Sequence, residues 1–445
     1  MLVNQWVKDI ATELGLTSCT YGQGELKRLL LNIKTKGEEP IIVTDGNIYA
    51  QNKVLLSQLR QIADILILCD EGRELKPSMQ EIERLLSSLK SVSNAYPVAL
   101  GGGTICDITK LASYKLGLKF AVSPSALSVN GFASSTASIL TNNAKQSLQA
   151  KIAEHLVFDE AIISSAPSYL NLAGIYDCLA MINASIDIFL SAKITGYKPS
   201  PDVAKLAKIA IDELLKEAQK GQDCDFVKIN YKQVARILSL SGLAMSLGES
   251  SFVASGGEHI LAHILEVQNL EFKSKAMGAV KFNTLPHGLQ IAAVLPFYCN
   301  LQTKVLQKIL AALSHQANFT ITPPSPAKIN KYFNYDPSKV QQIILSKTPL
   351  PCFWQELKQD KASFALQLNN SIEKLACIKQ ILDSGFARQN SSLSSSPSSS
   401  PSASEPLNPH DLLHDSDIVS QINTELCKIM PQSKVFRDRF TCLDI

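Results

Sequence analysis

Residues 250–266 read SSFVASGGEHILAHILE, with two histidines four apart behind a turn of small residues. On a helix this spacing puts His259 and His263 on one face. Imidazoles so arranged can ligate a divalent metal, and read singly each is a hydrogen-bonded core histidine. Two other residues invite the same question. Asp177, in AGIYDCLA, is a carboxylate early in an apolar run, where it is costly unless paired or coordinated. His287, in LPHGLQIAAVLP, opens another apolar run, where capping a helix is the simpler role. Together, one aspartate and two or three histidines in apolar surroundings suit a divalent ion that keeps a coordination position open. The order E-H-x-x-x-H is not the H-E-x-x-H of metalloproteases, which disfavours that chemistry.

A second group could hold phosphate. Gly101-Gly102-Gly103-Thr104 lies between a strand signal and a helix signal. Glycines let backbone N–H groups approach a pyrophosphate, and a helix N-terminus adds a favourable dipole. The stretch matches neither G-x-G-x-x-G nor a Walker loop, and alone it is also a structural turn. Asp107 and Lys110 follow on the helix, where Asp107 serves either as a cap or as a partner for a ligand hydroxyl. The polar loop Ser123-Pro124-Ser125-Ala126-Leu127-Ser128, with Asn130 and Gly131, follows another strand signal, at the sheet end where α/β proteins bind ligands.

These groups need a scaffold. PIIVTD (40–45), DILILC (64–69), YPVAL (96–100) and KFAV (119–122) read as strands, with helical stretches at 77–91 and 107–116. Alternating strands and helices predict a parallel sheet. From about residue 168 helical periodicity takes over and strand signals become rare. The predicted organisation is an α/β domain over 1–165 and an all-α domain over 166–389, interrupted by TPPSP at 322–326. A flexible Ser/Pro-rich linker follows at 390–406, then a tail at 407–445 with one amphipathic helix.

Composition narrows the function. The chain has 445 residues, enough for two domains, and its 45% hydrophobic and 19% charged content is that of an ordinary globular protein. A formal charge of +3, from 43 basic and 40 acidic residues, argues against nucleic acid or a polybasic membrane anchor. No stretch reaches ~18 uninterrupted apolar residues, so no membrane span is expected. The N-terminus, MLVNQWVKDIATELGL, lacks the basic start and apolar core of a signal peptide. Ten scattered cysteines without a C-x-x-C pair fit reduced thiols in a cytoplasm, rather than a disulfide framework or zinc ribbon.

Five segments, in order over about residues 40–300, resemble the sn-glycerol-1-phosphate dehydrogenases. GGGTICDITKLASY is similar to G-G-G-x-x-x-D-x-x-K-x-x-A-Y, and SPSALSVNGFASSTASI to P-T-x-x-S-x-D-G-x-A-S. AGIYDCLAMINASIDI is similar to A-G-x-G-D-x-x-x-K-x-x-A-x-x-D-W, SSFVASGGEHILAH to S-R-P-A-S-G-S-E-H-x-x-S-H, and PHGLQIAAV to H-G-x-x-V. The wider group takes in glycerol dehydrogenases, iron-containing alcohol dehydrogenases and dehydroquinate synthases. The resemblance implies a dehydroquinate synthase-like fold: a Rossmann-like α/β domain binding NAD or NADP, a helical domain holding a metal, and a site in the cleft between them. By matching position the metal ligands would be Asp177, His259 and His287, with Zn2+ expected and iron or nickel as alternatives. His263 would sit beside the site or near a substrate phosphate, and Asn130 would contact substrate. Gly101, Gly102 and Gly103, with Thr104 and Asp107, would cradle the cofactor pyrophosphate. Ser123, Ser125, Ser128 and Ser134 would line the nicotinamide and ribose pocket. Asp45 would meet the adenosine ribose and leans the choice toward NAD. The implied reaction reduces dihydroxyacetone phosphate, a small-molecule substrate, to sn-glycerol 1-phosphate, with hydride passing to a metal-polarised carbonyl. A homo-oligomer, dimer or larger, is expected.

The sequence also departs from the pattern. Asn130 stands where the family has Asp, Met181 where it has Lys, Tyr176 where it has Gly, and Phe252-Val253 where it has Arg-Pro. The lost cations are of the kind that hold a substrate phosphate. Two alternatives stay open: a polyol or alcohol dehydrogenase or dehydroquinate synthase-like cyclase on the same fold, and a binding protein that has lost catalysis. The cyclase is disfavoured, because that family carries Glu where Asp177 stands and a lysine-rich site.

Overall fold

The computed structural model describes residues 1–2, 4–141, 144–195, 200–220, 230–274, 278–315, 361–387 and 415–432. The expected interruption at 322–326 and the expected linker at 390–406 lie outside the described residues. By contacts the chain forms two units. One comprises Met1–Met181, Ser200–Ser255 and Leu285–Leu289, and the other Ile182–Pro199, Gly256–Thr284 and Gln290–Ile445.

The first unit is built on a sheet of six parallel strands. They are β1 (Ser18–Gly22), β2 (Glu39–Thr44), β3 (Asp64–Ile67), β4 (Ala95–Gly101), β5 (Ala121–Pro124) and β8 (His155–Asp159), in the spatial order β1-β8-β5-β4-β2-β3. The central strand β4 is buried along its whole length, which is why AYPVALG reads as a continuous apolar run rather than an alternating one. Helices α1 (Gln5–Glu13), α2 (Glu25–Thr35), α3 (Gly46–Gln51), α4 (Lys53–Leu59), α5 (Met79–Lys90), α6 (Gly103–Leu116) and α7 (Glu160–Ser165) join and flank these strands. Their starts follow capping chemistry. Ser78 accepts from Glu81 N–H at α5, and Asp159 from Ala161 N–H at α7. The three-and-four spacing of an amphipathic helix is clear in α5, whose Ile82, Leu85, Leu86 and Leu89 are buried on one face.

The four strands expected at 40–45, 64–69, 96–100 and 119–122 are present with small shifts at their ends. Strands β1 and β8 carry no comparable signal: SCTYG is half-buried throughout without alternation, and HLVFD is apolar over three residues only. The helix expected from Asp107 begins at Gly103, with Gly102 as its extended N-cap residue and Gly101 the last residue of β4. An antiparallel hairpin, β6 (Thr136–Thr141) with β7 (Ala144–Gln149), stands apart from the main sheet. The same unit takes in α9 (Pro201–Lys220) and α10 (Tyr231–Leu247), beyond the 1–165 span of the expected α/β domain.

Helix α8 (Ser168–Thr195) passes from one unit into the other. Its segment Ser168–Ala192 is long and apolar enough to cross a membrane by length and composition, but 78% of its apolar window is buried inside the protein, as in a core helix. The second unit also contains α11 (Gly257–Val267), α12 (His287–His315, from Gln290 on), α13 (Lys361–Ala387) and α14 (Ser416–Gln432). A short antiparallel hairpin, β9 (Glu271–Ser274) with β10 (Gly278–Lys281), interrupts a region read as wholly helical; four residues per strand are too few to show a period. Helix α14 packs on β9. Ile418, Ile422 and Leu426 are buried, and the Gln421 amide pairs with the Lys273 main chain at 3.0 and 2.6 Å.

The amino-terminal edge of the parallel sheet holds a polar cluster that sets a pH dependence. Glu154 accepts from Tyr96 Oη at 2.8 Å and Lys119 Nζ at 2.9 Å, while Ser18 Oγ lies 2.8 Å from Nδ1 of the buried His155. Burial holds the His155 pKa below its usual value, against the pull of Glu154. Burial raises the Glu154 carboxyl, but its bonds from Lys119 and Tyr96 leave it below its usual value. Both shifts are depressions, so the stability they carry is present above the unfolded pKa and lost as pH falls. Melting temperatures of wild type and His155→Gln should therefore converge as pH falls from about 7 to about 5. A constant gap would show that His155 does not couple folding to protons.

Candidate active site

Asp177 lies in the first half of α8, buried to 1% exposure. Its Oδ2 accepts the backbone N–H of Asn130 at 2.8 Å, and Asn130 Nδ2 donates to the Asp177 carbonyl at 3.3 Å. Asn130 thus ties the loop after β5 to the helix that carries the carboxylate. A carboxylate at 130 could not donate to that carbonyl, which gives the departure from Asp a local physical reason. The same loop is held at Leu127, whose N–H donates to Asn171 Oδ1 at 2.8 Å. On the other side, His287 Nε2 lies 3.8 Å from Asp177 Oδ1.

Two glycines permit this approach. A Cβ on Gly288 would lie 1.8 Å from the Ala173 carbonyl oxygen, and one on Gly174 would lie 2.1 Å from that of Leu127. The first turn of α12, the loop after β5 and α8 therefore meet backbone to backbone. That contact brings His287 next to Asp177.

His259 sits in the first turn of α11, after Gly256 and Gly257. It is buried, and its Nδ1 lies 2.9 Å from Oε1 of the fully buried Glu258. His263, one turn on, is more exposed; its Nδ1 is 3.2 Å from Glu266 Oε2 and its ring centroid 6.2 Å from that of His259. Asp187, half-buried on α8, accepts from Gly257 N–H at 3.0 Å, Tyr298 Oη at 2.8 Å and Gln302 Nε2 at 2.8 Å. Burial, with the charge of Glu258, pushes its carboxyl up to about 6. One ligand atom from each of Asp177, His259 and His287 lies within 4.8 Å of the others. An aspartate oxygen and two imidazole nitrogens at that separation fit a zinc-like ion in number and chemistry.

The phosphate candidates lie at the carboxyl ends of β4 and β5. A Cβ on Gly101 would come 2.6 Å from Ile105, so packing alone requires glycine there. Gly102 and Gly103 differ. Added carbons would meet only Ser128 Oγ at 3.7 Å and Val129 at 3.4 Å, ordinary contacts, so the chain's own packing does not explain these glycines. No side chain caps the start of α6, and Thr104 stands half-buried in its first turn. An uncapped helix start at the carboxyl end of a parallel sheet suits a phosphate group. Ser123 is buried on β5, and its Oγ has no hydrogen-bond partner among the described residues; Ser125 and Ser128 follow it. Ser125 N–H donates to the Gly101 carbonyl.

Other candidates are engaged by the chain itself. Asp107 Oδ2 accepts from Ser138 N–H at 3.1 Å, tying α6 to β6. Ser134 Oγ accepts from Lys110 Nζ at 2.9 Å. The fully buried Lys110 also donates to the carbonyls of Gly131 and Thr136, so it pins the loop beyond Asn130. Asp45 caps α3, accepting from Ile48 N–H at 2.9 Å at the end of β2. A cavity of about 280 Å3 near Arg73, Lys76 and Arg84 lies on other residues, and these cations are ion-paired to Asp70, Glu74 and Glu81. Sequence reading missed Asn171, Asp187 and the role of Lys110. The one usable signal was a second carboxylate in the apolar run of α8.

Comparison with known proteins adds to this geometry. Residues 21–167 match the family of iron-containing alcohol dehydrogenases. Glycerol-1-phosphate dehydrogenase (NAD(P)+) of Pyrococcus horikoshii is 35% identical over 192 residues, 42% of this chain and 54% of that one. The enzyme of the same name from Methanosarcina barkeri is 30% identical over 249 residues, 54% of this chain and 67% of that one. The matched region thus spans little more than half the length of the first of these relatives. In three dimensions the chain is similar to an archaeal alcohol dehydrogenase from a Red Sea brine pool, at TM-score 0.54 and 12% identity, over 96% of this chain and 98% of that one. At that identity the likeness concerns the fold alone.

Proposed function

The chain belongs to the glycerol-1-phosphate dehydrogenases, within the iron-containing alcohol dehydrogenase family, and from that premise we propose that it reduces dihydroxyacetone phosphate to sn-glycerol 1-phosphate with NAD(P)H. The observation that carries the reading is the convergence of Asp177, His259 and His287 to within 4.8 Å. These residues would hold a divalent ion, proposed to be zinc. When bound, that ion would polarise the C2 carbonyl and the reduced nicotinamide would supply the hydride.

The chain's own groups do the rest. Asn130 orients the Asp177 carboxylate. The N-terminal N–H groups of α6, reached past Gly102 and Gly103, would hold the cofactor pyrophosphate. Ser123, Ser125 and Ser128 would offer hydroxyls toward the ribose and nicotinamide. Asp45, at the end of β2, would repel a 2′-phosphate, so NADH is expected to serve better than NADPH. Free thiols at Cys19, Cys69, Cys106, Cys178, Cys299 and Cys377 accord with a reducing cytoplasm.

A second reading has its own observation. Met181 is fully buried where the family has Lys, and Phe252 replaces Arg, so two cations suited to a phosphate are gone. An unphosphorylated ketone would then be the substrate. The test follows NADH and NADPH oxidation with dihydroxyacetone phosphate and with dihydroxyacetone, using Asp177→Ala as control. Turnover of the phosphate ester, lost in the variant, is the expected result. Turnover of the free ketone alone would move the assignment to a polyol dehydrogenase. Turnover of neither by metal-loaded protein would favour a binding protein without catalysis.

A further inference from the structure

We propose that Glu258 is the positioning residue for His259, fixing the imidazole so that Nε2 is the atom offered to the metal. The proposal rests on the metal reading above. Glu258 is fully buried, and its Oε1 accepts the Gly256 N–H at 2.6 Å and lies 2.9 Å from His259 Nδ1. When Nδ1 donates to that oxygen, a neutral imidazole carries its one proton there and keeps a lone pair on Nε2. The carboxylate also makes the ring a stronger donor to a cation.

The charge of Glu258 points the same way. Among the described residues its ion-pair partner is His259, and its Oε2 has no hydrogen-bond partner. A buried carboxylate in that position is costly unless positive charge lies close by. A metal ion on the far side of the imidazole supplies it through the ring. Glu258 is thus suited to a histidine that bears a cation and poorly suited to one that only fills core space.

The surrounding network holds Glu258 in place. The Gly256 Cα lies between two carboxylates: a Cβ there would come 2.6 Å from Asp187 Oδ2 and 2.7 Å from Glu258 Oε2. Asp187 fixes the next residue through the Gly257 N–H, and is itself held by Tyr298 and Gln302 of α12. Gln302 also donates to the Asn183 carbonyl and accepts from its side chain, so α8 and α12 are locked around the turn that projects Glu258. The side chain has little freedom to leave His259.

Zinc affinity tests this in the full chain, measured by competition with a chromophoric chelator without cofactor or substrate. Glu258→Gln keeps size and removes charge. It should bind zinc roughly 10–100-fold more weakly at unchanged stoichiometry, with melting close to wild type. Wild-type affinity in a folded Glu258→Gln protein would overturn the positioning role and leave the metal reading standing. A wild type that binds no zinc would overturn both. Should Glu258→Gln fail to fold, the tautomer decides. Proton–nitrogen NMR of metal-free wild type, with His259 assigned by its absence in His259→Gln, should place the ring proton on Nδ1. A proton on Nε2 would overturn the proposal.

Discussion

Asp177→Asn should bind almost no metal at concentrations that saturate wild type, and its turnover should fall by roughly 1,000-fold or more. A metal acting on a carbonyl supplies several kcal/mol of charge stabilisation, and each ~1.4 kcal/mol is tenfold in rate. The substitution keeps shape, and the Asn130 N–H still finds an oxygen acceptor where it now meets Asp177 Oδ2. What it removes is the negative charge beside two imidazoles. Removing a buried charge does not by itself unfold a protein, so the metal-free variant should melt near metal-free wild type. Equal melting with lost metal would assign Asp177 to the ion. A variant that keeps full metal content and turnover would remove Asp177 from the ligand set.

Gly288→Ala should damage the protein more than any other single methyl discussed here. The new carbon would lie 1.8 Å from the Ala173 carbonyl oxygen, 2.4 Å from its carbon and 2.8 Å from its Cα. All three are main-chain atoms, so no side-chain rotation relieves the clash. Either α8 or the first turn of α12 must move. Overpacking of this kind costs about 3 kcal/mol or more, which in a protein of this size lowers melting by roughly 3 °C or more. Activity should fall further than stability accounts for, because His287 opens the helix that shifts. Gly102→Ala, whose added carbon has 3.7 Å of room, should melt as wild type does. Similar melting for both glycine variants would show that the close backbone contact does not exist in solution.

Some of this was legible in the sequence, for physical reasons. PIIVTD and YPVAL are strands buried in a parallel sheet, and burial on both faces leaves continuous apolar runs that end in Asp or Gly; DILILC is an apolar run too, although its strand β3 lies at the sheet edge and is only half-buried or exposed. SCTYG and HLVFD are strands of the same sheet, but their polar ends carry the cluster of Ser18, His155 and Glu154, so the apolar signal is broken. Of the site, the ligand types could be read: a carboxylate in an apolar helix, and histidines at helical spacing. Their partners could not. Asn130 meets Asp177 across 47 residues, and Asp187 meets Tyr298 across 111. Such pairings depend on how helices and loops pack, which residue spacing does not encode. The glycines show the same limit: Gly174 and Gly288 look like ordinary helix breakers until the backbone each one touches is known.

The proposed reduction of dihydroxyacetone phosphate depends on a bound metal. The most direct measurement strips the purified protein with a chelator, returns zinc in steps, and follows NADH oxidation with dihydroxyacetone phosphate. The stripped protein should show no turnover, and the rate should rise linearly with added zinc and level off near one zinc per chain. Full turnover in the stripped protein, or none at any level of zinc, would contradict it.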